Sequence, residues 1–369
     1  MRRRGARVGS LSLPILGRMD DPGLPRPHDG DAETVRLQAE EHPLIEDVPP
    51  KTPAEHCLRL MHLRAYDQAV KHASGRDVLD VGCNTGYGTI RFAPVAGRVV
   101  GVDVSPRAIE AARDRATDGR PEFIQTSGFD LPFPAETFDL VTSFQVLEHV
   151  PDATAFLREL ARVVRPGGTV ILATPNAATR LYPGMTPWNR FHVREYRADE
   201  LAELLRTVFP QVNVLGMVGA RELYDTEIAR VDAARQRIRR MEEAATRQEA
   251  ARAAAAARAE ARASAPAARR PLPMRVARAV VPGPIRAWVR SVLRSAGASA
   301  PRPNAASTPA APVADPAPAP APANELETFL RFTVDDLWYV ETDLDRSMDL
   351  LAVCGVHSAT GPAPLEATV

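Results

Sequence analysis

The stretch Asp77–Thr89, DVLDVGCNTGYGT, decides the fold of this chain. Val78, Leu79 and Val81 form the near-continuous apolar run of a short strand buried on both faces of a parallel sheet. Gly82, Gly86 and Gly88 follow, and residues without a side chain let a backbone turn tightly and approach a ligand. A helix is expected next, from about Tyr87 to Val95, with its first amides directed at whatever the loop holds. Strand, glycine turn and helix describe a ligand-binding turn.

Outward from this stretch, strands and helices alternate. RVVGVDVS is a second strand ending on Asp103, after which Ser105 caps a helix that has Pro106 in its first position. Phe123–Gln125 is a third strand and Thr137–Phe144 a fourth. Asp152 caps the helix TAFLRELARVV, which Pro166-Gly167-Gly168 stops before a fifth strand, Val170–Thr174. A helix over about Asp199–Val208 precedes a sixth strand, VNVLGMV. Upstream, Cys57, Leu58, Leu60, Met61, Leu63, Tyr66 and Val70 recur at helical spacing, in a helix placed to fold over the glycine loop. This order gives an α/β fold with a doubly wound parallel sheet and right-handed crossovers.

After Gly219 the composition shifts. Asp225–Arg262 is a long helix of Ala, Arg and Glu, polar nearly all round. Arg269–Arg294 mixes basic and apolar residues, and Ala298–Ala323 is a Pro/Ala linker. Order resumes at Glu325, and the apolar strand Leu350–Val356 returns to pair beside the sixth. The expected layout is a disordered segment at 1–52, a core at 53–219, a helical and disordered insertion at 220–324, the end of the core at 325–357 and a tail at 358–369. Met19 is a candidate initiator, because the apolar part of the N-terminus is short and broken by Pro14 and Gly17.

Composition narrows the function classes. Lys plus Arg, at 46, balances Asp plus Glu, at 46, so no global field selects nucleic acid. Three cysteines argue against a disulfide framework and for a reducing compartment. With no apolar run of transmembrane length, the expectation is a cytoplasmic protein. The segment 225–294 is a place where a peripheral membrane or protein contact would form.

The glycine turn alone does not name its ligand, since dinucleotide-binding folds use the same device. Here the glycines fall as G-C-N-T-G-Y-G, and Asp103 ends the next strand, where a carboxylate accepts both ribose hydroxyls. These residues, with FDLPFPAETFDLVTSFQVLEHV and RVVRPGGTVILATPN, resemble the class I S-adenosylmethionine-dependent methyltransferases over about Val78–Val218. The resemblance lies with their small-molecule and sugar O-methyltransferases of the type 11/23 group. It implies a Rossmann-like sheet of seven strands whose last, Leu350–Val356, is antiparallel.

By that resemblance, Asp80, Gly82, Cys83, Asn84 and Gly86 surround the methionine end of S-adenosylmethionine, and Asp103 and Val104 hold its ribose. Asn84 stands where many members have glycine, and Ser127 where an aspartate often faces the adenine. Gly128, Phe129 and Phe144 supply backbone and apolar walls. The loop after the fourth strand lies at the carboxyl edge, where such sheets bind ligands. His149 is the first candidate base and His192 the second, while Glu148 reads as a local hydrogen-bond acceptor. Gln145, Trp188 and Tyr196 are expected at the acceptor, with Phe332–Val340 as another wall. VLEHV also resembles the ubiquinone-type O-methyltransferases, some of which bind a divalent ion, but Gln145 replaces the expected carboxylate and no metal is predicted. The expected reaction is methyl transfer to a small-molecule hydroxyl, of a saccharide or natural product. The alternatives are N- or C-methylation of another metabolite, or a non-catalytic partner that binds the cofactor.

Overall fold

The Thr52 hydroxyl accepts the Glu55 amide and Pro53 fills the first turn, so helix α1 runs Pro53–Val70. This is the start of a computed structural model that describes residues 49–117, 119–189, 191–264 and 323–356. The expectations for Met19, the disordered N-terminus, the basic segment 269–294, the Pro/Ala linker and the tail lie outside those residues.

Strand β1, Asp77–Val81, sits at the centre of the sheet, hydrogen-bonded on one side to β2, Arg98–Asp103, and on the other to β4, Phe138–Phe144. Its consecutive residues serve opposite faces: Val78 packs in the cluster containing Tyr66, and Leu79 in the one containing Phe156. That two-sided burial is why the strand reads as a near-continuous apolar run, interrupted by Asp80. The remaining elements are α2 (Pro106–Arg115), β3 (Glu122–Gln125), α3 (Ala153–Val163), β5 (Val164–Pro175), the single turn α4 (Ala177–Arg180), α5 (Ala198–Arg206), β6 (Gln211–Gly219), α6 (Arg221–Ser264), α7 (Ala323–Phe329), β7 (Leu337–Val340) and β8 (Asp349–Gly355). The sheet order is β3-β2-β1-β4-β5-β8-β6-β7. Strand β8 is antiparallel to both neighbours, β5 and β6, and β7 is antiparallel to β6. The architecture is a Rossmann-like α/β sheet, parallel through its centre.

Four local expectations are corrected. The sheet has eight strands, not seven, because Leu337–Val340 adds an edge strand on β6. Only Thr89–Phe92 is helical after the glycine turn, as one 3-10 turn. An α-helix through 95 would need a donor at Pro94, which has no N–H to give Ile90. Strand β5 begins at Val164 and takes in Pro166-Gly167-Gly168, so α3 ends before that motif. Finally, the long helix starts earlier, at Arg221, and its first turns are not solvated: Leu223, Glu227 and Val231, spaced by four, are buried, and Leu223 packs in the cluster of α1 residues.

Helix α1 is locked to the sheet through Asp80. Its carboxylate, with no exposed surface, accepts hydroxyls from Tyr66 (3.1 Å), Thr89 (2.6 Å) and Thr142 (2.8 Å). A Cβ on Gly88 would lie 2.1 Å from the Tyr66 ring, so only glycine lets this tyrosine reach the carboxylate. Burial lifts the Asp80 pKa to about 6, against the lowering effect of the three hydroxyls. Its folded pKa lies above the unfolded value, so its contribution to stability is full below about pH 4 and is lost as pH rises through about 6. Chemical denaturation of the wild type and Asp80→Asn across pH 4–7 measures this. The stability difference, wild type minus variant, falls by about 3 kcal/mol over that range.

Candidate active site at the carboxyl edge

The turn after β1 is held by β2. The amides of Gly82 and Cys83 both donate to Val102 O, at 2.8 and 3.0 Å. Gly82 has φ +80°, and a Cβ there would fall 2.3 Å from Val146 Cγ2, so the donor loop and the loop after β4 touch at a point reserved for glycine. Asn84 takes the left-handed conformation, φ +47°, which its side chain tolerates. Its amide donates to Asp103 Oδ2 (2.9 Å), and the Ser105 amide donates to Asp103 Oδ1 (2.8 Å). Ser105 itself caps α2 through Ala108, so Asp103 is not the helix cap. A half-buried carboxylate at a strand end can accept from the hydroxyls of a ribose diol, and a backbone turn of positive φ lies beside it.

The other expected cofactor residues divide. Val104, Ser127 and Gly128 are half-buried around the same edge. Phe129 is turned into the core against Phe156, at 6.2 Å between ring centroids, and Gly128 is backed by the same Phe156 ring. Phe144 meets Tyr66 edge-on at 4.8 Å. Asp80 is occupied by its three hydroxyls beneath the turn. Cys83 is fully buried, and burial keeps its thiol protonated, well above the ordinary range.

The loop after β4 carries the chemistry. Gln145 has φ +56° and donates from Nε2 to Asp349 Oδ2 at 2.7 Å, across from the start of β8. A 3-10 turn over Leu147–His149 then places Glu148 inward and His149 at the surface of the cleft. His149 Nδ1 lies 2.8 Å from Phe191 O. A carbonyl only accepts, so Nδ1 carries the proton and Nε2 the lone pair. Burial lowers the His149 pKa, outweighing the Phe191 hydrogen bond and the nearby Glu195, which raise it. The ring is therefore neutral near pH 7.

His192 stands perpendicular to it, 4.8 Å between centroids. Its Nδ1 is 2.6 Å from Glu195 Oε1, and Glu195 is clamped by Arg180 Nε and Nη2 at 2.9 and 3.1 Å. Burial opposes ionisation of Glu195, but His192 and Arg180 outweigh it and hold the carboxyl below its usual range. Trp188 lies flat beneath the Arg180 guanidinium, 4.2 Å from ring to charge. Tyr196 is buried, with Arg194 over its ring, and anchors the loop to the core more than it faces a cleft.

The structure thus brings His149 and His192 together from loops 43 positions apart in numbering (192 − 149). Sequence reasoning missed the second layer, Arg180 and Glu195, although Glu195 is three residues from His192. It also set Glu148 aside. Buried and bonded to Thr174 at 3.0 Å, Glu148 has its pKa pushed up to about 7 by desolvation. Donor atoms of Glu148, His149 and His192 lie within 4.8 Å of one another, a spacing open to a divalent cation that Gln145 had led the sequence reading to discount.

Residues 79–172 match the methyltransferase domain family. A probable S-adenosylmethionine-dependent methyltransferase of Mycolicibacterium smegmatis is 41% identical over 158 residues, 42% of this chain and 60% of that protein. A demethylmenaquinone methyltransferase of Tropheryma whipplei is 33% identical over 142 residues, 38% of this chain and 58% of that protein. The 27-O-demethylrifamycin SV methyltransferase of Amycolatopsis mediterranei is 38% identical over 104 residues, covering 27% and 38%. The chain spans about three fifths of the length of the first two relatives. Among the described residues no helix is long and apolar enough to cross a membrane. The stretch 79–172, which contains the turn, Asp103 and the His149 loop, is thus a methyltransferase domain similar to that of the S-adenosylmethionine-dependent methyltransferases, whose cofactor is S-adenosylmethionine.

Proposed function

We propose that this protein transfers a methyl group from S-adenosylmethionine to a hydroxyl of a small-molecule acceptor, a saccharide or a natural product. The cofactor supplies an electrophilic methyl on a sulfonium, and the chain's residues bind, align and deprotonate. Gly82, Asn84, Gly86 and Asp103 hold the donor at the β1 and β2 edge. The loop 145–149, in contact with Gly82 through Val146, presents the acceptor. Alignment of the nucleophile with the methyl is the main requirement of an in-line displacement. A hydroxyl also gains from losing its proton as the bond forms.

The perpendicular His149–His192 pair carries this reading. His149 offers Nε2 as the base, because Phe191 O fixes the proton on Nδ1 and burial keeps the ring neutral. His192, oriented by Glu195 and Arg180, is the positioning partner and the route by which the proton leaves. Two imidazoles beside the donor loop favour a protic acceptor, since an amine with its lone pair already exposed gains less from a base. The rifamycin relative, named for methylation at an oxygen, agrees with that choice.

Three outcomes test the assignment. His149→Gln lowers kcat by about a hundredfold or more, with S-adenosylmethionine affinity unchanged in calorimetric titration. A chelator leaves the wild-type rate unchanged. Chelator-sensitive activity restored by manganese or zinc would reassign Glu148, His149 and His192 as ligands. Asp103→Asn weakens S-adenosylmethionine by about tenfold or more, the worth of a charge-assisted hydrogen bond. An unaltered affinity would move the ribose elsewhere. If the wild type binds the cofactor but releases no methyl to any acceptor pool, the protein is a binding partner and not an enzyme.

A further inference from the structure

Beneath α1 three polar groups lie in the interior without the partners such groups normally have. Arg64, on α1, is 9% exposed. Its Nε has no hydrogen-bond partner, and among the described residues no ion pair reaches its guanidinium. Tyr339, on the edge strand β7, is 6% exposed and its hydroxyl is equally unpartnered. Asp349, the first residue of β8, is 4% exposed and accepts one hydrogen bond, the 2.7 Å contact from Gln145.

These groups share one place. Met217 of β6 pairs with Tyr339 on one side and with Asp349 on the other, so both side chains rise from the same face as Met217. That face is the one α1 covers, since Met217 and Tyr339 pack in the cluster of Cys57, Met61 and Tyr66. The Tyr339 hydroxyl feels both Asp349 and Arg64. Gln145, which bonds Asp349, is the residue after Phe144 and belongs to the loop that carries His149.

A buried guanidinium without a counter-ion and a buried phenol without an acceptor are costly, and cores do not keep them for packing. Arg64 and Asp349 are both buried, but Asp349 bonds to Gln145 and not to Arg64, and burial pushes its carboxyl well above the usual range. A ligand between them satisfies all three groups at once. A flat apolar acceptor would satisfy none. An anionic one would suit Arg64 but offers no donor to the oxygens of Asp349 and Glu148, two buried carboxyls that interact with each other. A ring bearing adjacent hydroxyls accepts from Arg64 and Tyr339 and donates to Asp349.

Resting on the methyltransferase reading, we propose that Arg64, Tyr339 and Asp349 select the acceptor, and that it is a neutral polyhydroxylated ring of the saccharide or cyclitol class. Sites that read hydroxyls through buried polar groups reject analogues lacking them far more strongly than apolar pockets reject a changed outline.

The test uses the full chain and three probe classes: methyl hexopyranosides with inositol, hexuronic acids, and simple phenols. Saturation-transfer NMR reads binding, and radiolabelled S-adenosylmethionine reads transfer, for the wild type, Arg64→Met and Tyr339→Phe. Neutral polyols bind the wild type in preference to the other two classes. Each substitution weakens that binding, Arg64→Met by about tenfold or more, while cofactor affinity stays within about twofold of wild type. Thermal melting of Arg64→Met is equal to or higher than that of wild type, because an unpartnered buried charge has been removed. Polyols that fail to bind, variants that bind them as well as wild type, or a fall in the Arg64→Met melting temperature each overturn the proposal. Failure of the methyltransferase reading looks different: polyol binding and its sensitivity to the substitutions persist, but cofactor binding or methyl release is missing.

Discussion

The buried carboxylate of Asp80 is the constraint on which the donor side of this site depends. An ionisable group in the middle of a parallel sheet is tolerated only when its acceptors are filled. Here the fillers are one hydroxyl from α1, one from the segment after the glycine turn and one from β4. Three elements that are distant in the chain, from Tyr66 to Thr142, therefore share one point. Removing any one donor leaves a buried lone pair, so the contact fixes the position of α1 over the sheet as well as the path of the turn. Asp80 is on this account a positioning residue, one layer beneath Gly82 and Asn84.

Above that layer, backbone conformation aims the site. Gly82, Gly86, Asn84 and Gln145 all have positive φ, and all lie in the two loops at the carboxyl edge. Residues in that region re-aim the chain over a short distance. In the first loop the result is the Asn84 amide turned toward Asp103, and in the second it is Gln145 turned toward β8 with Glu148 inward. The imidazole pair then depends on a loop from the far side of β5, whose Val193 and Arg194 amides donate to Glu148 O at 2.7 and 3.2 Å. Backbone contacts hold the two histidine loops together, and side chains tune them.

Much of this was legible in the sequence for identifiable reasons. Strands β1, β2 and β8 are buried on both faces and so appear as near-continuous apolar runs. Ser105-Pro106 and Asp152 announce helix starts through local hydrogen bonding that needs no tertiary context. Asp103 stood out because a lone carboxylate ends an apolar strand. What was not legible depends on contacts across the fold. Leu337–Val340 contains two aromatics and a short alternating pattern, and only the exposed edge of β6 makes it a strand. The helix expected after the turn failed on Pro94, a local signal outweighed by the strand-turn-helix template. Arg180 and Glu195 carry no motif of their own, and their role exists only because two loops meet.

The acceptor side shows the same lesson through strand direction. In a parallel strand the last residues reach the ligand edge, so sequence reading looks for function where an apolar run ends. Strand β8 runs the other way, and Asp349 pairs with Pro175 at the end of β5. Its first residue, not its last, is therefore delivered to the site, and a polar residue that reads as a strand boundary becomes an interior group facing Gln145. Strand β7, of the same sense as β8, brings Tyr339 to the same row. Reversing two strands at the sheet edge thus places residues from the end of the chain beside a helix from its beginning, and α1 closes over them with Arg64. The donor half of the site is written in consecutive residues that a motif captures. The proposed acceptor half is assembled from three separate elements by topology, and of its groups Arg64 Nε and the Tyr339 hydroxyl have no partner among the described residues.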